Sequence, residues 1–160
     1  MDLKGKHILV SGASSGIGRQ VAMDVSKLGA NLTITGRNLT ELKNTQAQLA
    51  GKGHSLIACD LTNFEKTKEL ISQLKALDGI VHCAGIVKPV PVKFIKEQQI
   101  DEVFSINFKS VVLLNAELLQ QKKINNNASI VLISTISTLY PYFGSAIYIA
   151  SKAAIEGYGK

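Results

Sequence analysis

Residues 11–18 read Ser11-Gly12-Ala13-Ser14-Ser15-Gly16-Ile17-Gly18, a glycine-rich stretch that decides the fold of this chain. It directly follows His7–Val10, an apolar run that is typical of a buried strand. It opens a segment in which apolar residues recur at the period of a helix, at Ile17, Val21, Val25 and Leu28. We therefore predict a strand, a tight turn and a helix. In such a unit the helix N-terminus offers unpaired N–H groups to a phosphate, and the glycines let a pyrophosphate approach the backbone.

The rest of the chain repeats this alternation of short apolar runs and longer amphipathic segments. Four further strands are predicted at Asn31–Thr35, Ser55–Ala58, Gly79–Cys83 and Ala128–Ser134. Helices separate them, including a long one over Glu97–Gln120, and a last helix begins near Ala146. Strands joined by helices of this length form right-handed βαβ units around a parallel sheet. The predicted fold class is α/β, a doubly wound parallel sheet or Rossmann fold, and residues 1–160 are expected to form a single domain.

Composition excludes several other classes of protein. The 160 residues are 46% apolar and 19% charged, which suits a globular domain rather than a disordered chain. No signal peptide or apolar run long enough for a membrane span is present, so a cytoplasmic protein is expected. The formal net charge is +6, but the basic residues are dispersed, so we do not expect nucleic-acid binding. Cys59 and Cys83 lack metal-ligand spacing; we predict reduced, buried thiols and no metal.

A second pattern lies near the end of the sequence. Tyr148 and Lys152 share one face of the predicted last helix, about 6 Å apart along its axis. A phenol ionises only near pH 10, and a neighbouring ammonium favours the phenolate that acid–base catalysis near neutral pH requires. The Gly-x3-Gly-x-Gly spacing, with Ser11 where Thr is usual, and this Tyr-x3-Lys pair resemble the short-chain dehydrogenase/reductase family. The resemblance covers all 160 residues, although members of the family continue further, so we expect the N-terminal part of a longer domain.

The resemblance implies a nicotinamide cofactor at the carboxyl ends of the strands. Arg37, after the second strand, can form paired hydrogen bonds with a 2′-phosphate, so NADP(H) is preferred and NAD(H) is the alternative. A solvent-facing loop arginine is the other interpretation. Asp60 and Leu61 match the family's adenine-contacting pair, although Asp60 could equally cap a helix. The predicted cofactor-binding set is Gly12, Ser14, Ser15, Gly16, Ile17, Gly18, Arg37, Asp60, Leu61, Ala84, Gly85, Tyr148 and Lys152.

Residues 82–85 read His82-Cys83-Ala84-Gly85, where the family has Asn-Asn-Ala-Gly. Ala84 and Gly85 are retained, so the backbone can still pass close to the cofactor. Both asparagines are lost. We interpret His82 as a core histidine rather than a catalytic base.

The resemblance also implies the catalytic residues. Tyr148 is expected to act as general acid and base, with Lys152 holding the ribose. Asn107, in the long helix, is expected to support a water-linked proton path to Lys152, unless it forms an ordinary helix–helix hydrogen bond. Thirteen positions before Tyr148, where the family has a catalytic serine, the chain has Thr135; Ser134 or Ser137 could serve instead if the loop is shifted.

The sequence therefore predicts an oxidoreductase that transfers a hydride between NADPH and a small-molecule carbonyl or alcohol, with a 3-oxoacyl compound or a similar ketone as a family-level substrate. We also expect a homodimer or homotetramer. Two alternatives remain open. One is a cofactor-binding regulator without turnover, and the other is a basic nucleic-acid binder on the same scaffold, which the dispersed lysines disfavour.

Overall fold

The computed structural model describes residues 2–160 and contains one five-stranded sheet flanked by helices. The strands are β1 His7–Ser11, β2 Asn31–Gly36, β3 Ser55–Ala58, β4 Leu77–His82 and β5 Ile124–Leu132. The α-helices are α1 Gly16–Lys27, α2 Leu39–Gln46, α3 Phe64–Ser72, α4 Glu97–Phe104, α5 Ser110–Gln120 and α6 Ala146–Tyr158. Short 3-10 turns lie at Val92–Phe94 and Ile136–Thr138.

All strand pairs are parallel, and their order across the sheet is β3-β2-β1-β4-β5. This order confirms the predicted doubly wound sheet. The chain moves outward from β1 to β3, then returns to the other side of β1 for β4. The point of reversal lies between β1 and β4, where the loops after the two strands diverge and leave a crevice.

Apolar cores lie on both sides of the sheet because β1 buries both of its faces. Leu9 points toward α3 and α5, where it packs in a cluster with Ile80 and Leu114. Val10 lies in the other cluster, with Ala22 of α1 and Leu42 of α2. The glycine-rich turn after β1 is thus fixed from both sides of the sheet.

The predicted long helix is one continuous stretch that changes its winding in the middle. Between α4 and α5, residues Ser105–Lys109 adopt a π-helix, which contains the buried Asn107. A π-turn adds one residue to the helix turn and is frequent at functional sites, and hydropathy spacing does not reveal it. The prediction of a regular helix over Glu97–Gln120 was wrong in this detail.

The fifth strand also differs from its predicted bounds. It begins at Ile124 rather than Ala128 and ends at Leu132 rather than Ser134. Leu77 pairs with Ile124 whereas Gly79 pairs with Ser129, so β5 carries extra residues in an irregularity that includes Asn127 at φ +66°. These extra residues interrupt the apolar pattern, which is why only the later part of the strand was predicted. Its last predicted residues belong to the following loop, beside α6.

Candidate active site

A cleft of about 340 Å³ lies at the carboxyl ends of β1 to β4, at the point where the strand order reverses. Its volume falls in the range of small-molecule and cofactor sites. All predicted cofactor-binding residues except Tyr148 and Lys152 line it. Sequence reasoning missed Ile106 and Ser110, which border the cleft from the distant long helix and carry no local signal. Cys59, which is buried, and Cys83, which is only half-buried, also line it as free thiols.

The three glycines of the turn have distinct roles. A Cβ on Gly12 would lie 2.6 Å from the backbone nitrogen of Ala84, and one on Gly18 would lie 2.3 Å from the carbonyl oxygen of Gly12. Both positions therefore exclude a side chain because of backbone packing. Gly16 begins α1 at φ +52°, and a Cβ there would meet nothing within 4 Å. The space over Gly16 is open to a ligand rather than filled by protein.

Ser11 joins the glycine-rich turn to the loop after β4. Its buried hydroxyl oxygen accepts hydrogen bonds from the backbone N–H groups of Cys83 and Ala84, each at 3.2 Å. This pair of bonds fixes the distance between the two walls of the cleft. Ser11 was predicted only as a motif residue, with no role of its own. A hydroxyl at the end of a central strand was the sequence signal that could have indicated this one.

Two arginines lie near the rim of the cleft, and the structure distinguishes them. Arg19 is engaged by the protein: its guanidinium donates to the Ser14 carbonyl, to Glu41 at 2.5 Å and to Thr45 at 3.1 Å. Arg37 lines the cleft, is exposed, and forms no hydrogen bond or ion pair within residues 2–160. Its guanidinium is therefore available to an anionic ligand.

Asp60 lines the cleft and does not cap a helix. Its carboxylate accepts from the Thr62 N–H at 3.0 Å and the Thr62 hydroxyl at 2.8 Å, whereas Asn63 caps α3. Partial burial raises the pKa of Asp60, but these hydrogen bonds and the charge of Arg37 outweigh it, so the pKa is lowered and the group is ionised at neutral pH. Leu61 follows it in the wall.

Tyr148 and Lys152 lie one turn apart on α6, as predicted. The Lys152 side chain is buried, with its Nζ 5.9 Å from the centre of the Tyr148 ring and donating to the Ile133 carbonyl at 2.7 Å. Burial lowers the pKa of Lys152, and the neighbouring Cys83 opposes this effect. The ammonium is thus shielded from bulk solvent and lies beside a half-buried phenol.

Asn107 brings the π-helix, the loop after β4 and α6 together. Its Oδ1 accepts from the Ile86 N–H at 2.8 Å, and its Nδ2 donates to the Ile86 carbonyl and to the Ser151 hydroxyl, each at 3.0 Å. A Cβ on Gly85 would lie 3.3 Å from Asn107 Oδ1 and 3.7 Å from Lys152 Nζ. Asn107, Gly85 and Lys152 therefore meet in one place beside the cleft.

The three candidate hydroxyls follow β5, and each has a local partner. Ser134 donates to Glu156 on α6, which also accepts from Thr138 at 3.1 Å. Thr135 Oγ1 accepts from the Ser137 N–H and lies 3.2 Å from the Ser137 hydroxyl. Within the described residues, Tyr148 forms no hydrogen bond with any of them. The structure therefore leaves the choice among these hydroxyls open.

A cleft at the switch point of a doubly wound parallel sheet defines a Rossmann-type domain, and here a Tyr–Lys pair and a buried Asn lie beside that cleft. The family model described as short chain dehydrogenase matches residues 6–160. The chain belongs to this family.

Individual relatives agree with this assignment. The chain is 35% identical to the 3-oxoacyl-(acyl-carrier-protein) reductase FabG of Rickettsia bellii over 160 residues, which is 100% of this chain and 66% of the relative. A short chain dehydrogenase from Escherichia coli CFT073 complexed with NADPH superposes with a TM-score of 0.87 and 29% identity, over 96% of this chain and 68% of that one.

A short chain dehydrogenase from Shigella flexneri 2a complexed with NADP gives a TM-score of 0.86 at 29% identity, over 96% of this chain and 69% of that one. The chain thus spans about two thirds of the length of these relatives. Among residues 2–160, no helix combines the length and the apolar character that crossing a membrane requires.

Proposed function

We propose that this chain supplies the cofactor site and the proton-transfer residues of an NADP(H)-dependent carbonyl reductase. The observation that carries the proposal is the placement of the buried Lys152 ammonium beside the Tyr148 ring and next to Asn107, at the edge of the cleft. A buried lysine is costly to desolvate, and a structural role alone does not require it beside a phenol.

The cleft fits a dinucleotide at its phosphate-binding end. The backbone over Gly16 is open where a pyrophosphate would lie, at the start of a helix whose N-cap residue, Ser15, forms no side-chain capping hydrogen bond. The positive end of the α1 dipole favours an anion there. Residues Asp60 and Leu61 would border the adenine, and Ala84 and Gly85 the nicotinamide half.

The preference for the 2′-phosphate rests on Arg37. Arg19 is already neutralised by Glu41, whereas Arg37 is the unengaged guanidinium at the carboxyl end of β2. An acidic residue at this position would instead bind a ribose hydroxyl. The NADPH and NADP in the two solved relatives support the same preference.

When bound, NADPH supplies a hydride to a carbonyl carbon. Tyr148 donates a proton to the carbonyl oxygen as negative charge develops there, and the neighbouring ammonium of Lys152 stabilises the phenolate that is left. Thr135 or Ser134 donates a hydrogen bond to the same oxygen. Asn107 holds Ile86 and Ser151 in place through its amide, and so fixes the backbone beside Lys152.

For the substrate we propose a 3-oxoacyl compound or a similar ketone, because the matched reductase of Rickettsia bellii carries that name. The predicted homodimer or homotetramer and the cytoplasmic location belong to the same proposal. Size-exclusion chromatography with light scattering tests the assembly.

The test compares the purified protein with Tyr148→Phe and, as a matched control, Tyr140→Phe, whose ring is exposed. We expect NADPH binding, measured by its fluorescence, to be retained in all three proteins. Ketone-dependent NADPH oxidation should fall by at least about a hundredfold in Tyr148→Phe only. Binding without oxidation across a panel of ketones in the wild-type protein would favour a cofactor-binding regulator. Full activity of Tyr148→Phe would reject the role of Tyr148.

A further inference from the structure

His82 ends β4 in the interior and leaves one ring nitrogen without a partner. The residue is 3% exposed, and its Nε2 lies 2.8 Å from Oδ1 of Asn115 on α5. Asn115 Nδ2 in turn lies 3.4 Å from the Tyr158 hydroxyl oxygen. With the amide in this orientation, Nε2 carries the proton and Nδ1 is an acceptor. No group within residues 2–160 donates to Nδ1.

Next to His82 lies a cavity of about 10 Å³. This volume is that of roughly one water molecule, and a buried water needs polar partners in the wall. Most of the wall is apolar, formed by side chains such as Val111 and Ile155. The polar side chains that border it are His82, Asn107 and Lys152.

Of these three polar side chains, His82 has an acceptor with no partner, and Lys152 has donors with no partner, among the residues that the structure describes. Both amide protons of Asn107 are donated, to Ile86 and Ser151, and its oxygen already accepts from Ile86. Lys152 Nζ carries three protons and donates one, to the Ile133 carbonyl. Two donors therefore remain on Lys152, and the bordering acceptor that has no partner at all in the described part of the chain is Nδ1 of His82.

We propose that one buried water bridges His82 Nδ1 and Lys152 Nζ in this cavity, and that His82 is thereby a positioning residue for Lys152. The water accepts a hydrogen bond from the ammonium and donates one to the imidazole, so Nδ1 of His82 gains a partner and Nζ of Lys152 gains a second acceptor. The ring of His82 remains neutral and acts only as an acceptor. The consequence for catalysis rests on the proposed function, whereas the water site itself does not.

Two substitutions separate the water from the packing of the ring. In His82→Asn, the polar atoms of the new amide are bonded directly to Cγ, which is also where Nδ1 is attached in histidine. A polar atom therefore remains near the cavity, while the contact with Asn115 is lost. In His82→Gln, the amide lies one bond further out, so the contact with Asn115 is kept and the polar atom near Nδ1 is lost. A purely structural role for the Asn115 bond predicts the opposite ranking of the two variants.

The first measurement is crystallographic, on the wild-type protein and both variants. We expect an ordered water within hydrogen-bonding distance of His82 Nδ1 and Lys152 Nζ in the wild-type protein. A water should persist in His82→Asn and be absent from His82→Gln. A wild-type cavity without density for a water would overturn the proposal, whatever the variants do.

The second measurement is the titration of Lys152, followed by its side-chain ¹⁵N resonance. Cys83 and Tyr148 are its titratable neighbours and are unchanged in both variants. Loss of an acceptor destabilises the ammonium, so the midpoint should fall by about half a pH unit or more in His82→Gln and by less in His82→Asn. Equal midpoints in the two variants would contradict the positioning role.

Neither readout depends on turnover. If the wild-type protein fails to bind NADPH or reduce any ketone, the proposed function fails while the water site is still tested. If His82→Gln does not fold, the wild-type crystal structure and the ¹⁵N shift of its Nδ1, which reports whether that nitrogen accepts a hydrogen bond, decide the question.

Discussion

Asn107 pairs with the backbone of Ile86 as a neighbouring strand would: its Oδ1 accepts from the Ile86 N–H at 2.8 Å, and its Nδ2 donates to the Ile86 carbonyl at 3.0 Å. The loop after β4 leaves the sheet at this point, and the side-chain amide replaces the lost ladder bonds. The same amide donates to Ser151, one residue before Lys152. One buried side chain thus connects the sheet edge of the cleft with the helix that carries the Tyr–Lys pair.

We expect Asn107→Ala to destabilise the protein more than an exposed substitution of the same kind. The change leaves the N–H and the carbonyl of Ile86 unpaired in a partly buried environment, which costs at most about 1–3 kcal/mol for each group. Asn44→Ala, on the exposed face of α2, is the control and should cost less than about 0.5 kcal/mol. Urea unfolding gives both free energies of unfolding. Equal losses would mean that water replaces the Asn107 amide.

Gly16 and Gly5 form a matched pair for testing the phosphate site. Both have positive φ, and a Cβ on either would meet nothing within 4 Å. An alanine at either position should therefore cost a similar free energy of unfolding, about 1–2 kcal/mol. Only Gly16→Ala places a methyl group over the cleft. We expect its Kd for NADPH, measured by calorimetry, to rise about tenfold or more, a change of about 1.4 kcal/mol, with Gly5→Ala unchanged. Equal affinities would place the pyrophosphate elsewhere.

Removal of the Arg37 guanidinium should change the choice of cofactor. Hydrogen bonds to a charged group are worth about 1.5–3 kcal/mol, so Arg37→Ala should weaken NADPH binding by roughly 10- to 100-fold and leave NADH binding nearly unchanged. Lys43→Ala, an exposed cation on α2, controls for the loss of one positive charge. If both cofactors weaken equally in Arg37→Ala, the arginine does not read the 2′-phosphate.

The catalytic hydroxyl can be identified with two small substitutions. Thr135→Val keeps the shape of the side chain and removes its hydroxyl, while Ser134→Ala removes the hydroxyl that donates to Glu156. If Thr135 polarises the carbonyl, Thr135→Val should lower kcat by about 100- to 1000-fold, the range for loss of one such donor. Ser134→Ala should then change kcat less than about threefold. The reverse result would assign the role to Ser134.

His82 should make the fold sensitive to mild acid. Burial lowers the pKa of His82 from 6.5 to about 4, although the hydrogen bond to Asn115 opposes the shift. Between these values the unfolded chain binds a proton that the folded chain does not. The contribution of His82 to the free energy of unfolding should therefore be constant above about pH 6.5. It should decrease toward pH 4, by about 3 kcal/mol in total.

The comparison variant for this prediction is His82→Asn, which removes the titrating group. Urea unfolding at half-unit steps from pH 7 to pH 4 should give a shallower dependence in the variant. Burial also lowers the pKa of His7. Because His7 is present in both proteins, it contributes the same slope to each and cancels in the difference. Identical pH dependence in the two proteins would mean that the folded chain protonates His82 as readily as the unfolded chain does.

Much of the fold could be predicted because its signals are local. The apolar run of β1, the glycine-rich turn and the helical spacing of α1 fall within a few residues of one another. Their order alone indicates a βαβ unit. The Tyr148–Lys152 pair was predictable for the same reason, since residues four apart on a helix share a face. The π-helix and the irregular start of β5 were not predictable, because an extra residue in a helix or strand breaks the hydropathy period that predicts it.

The sequence by itself determined the alternation of strands and helices, the turn after β1 and the spacing of Tyr148 and Lys152, since each follows from the geometry of neighbouring residues. The tertiary structure decided which polar groups meet. Asn107 reaches residues 21 and 44 positions away, and His82 reaches Asn115 across 33 positions. It also decided that Glu41 engages Arg19 and leaves Arg37 unengaged. These contacts depend on how helices pack against the sheet, and packing over such separations leaves no periodic trace in the chain.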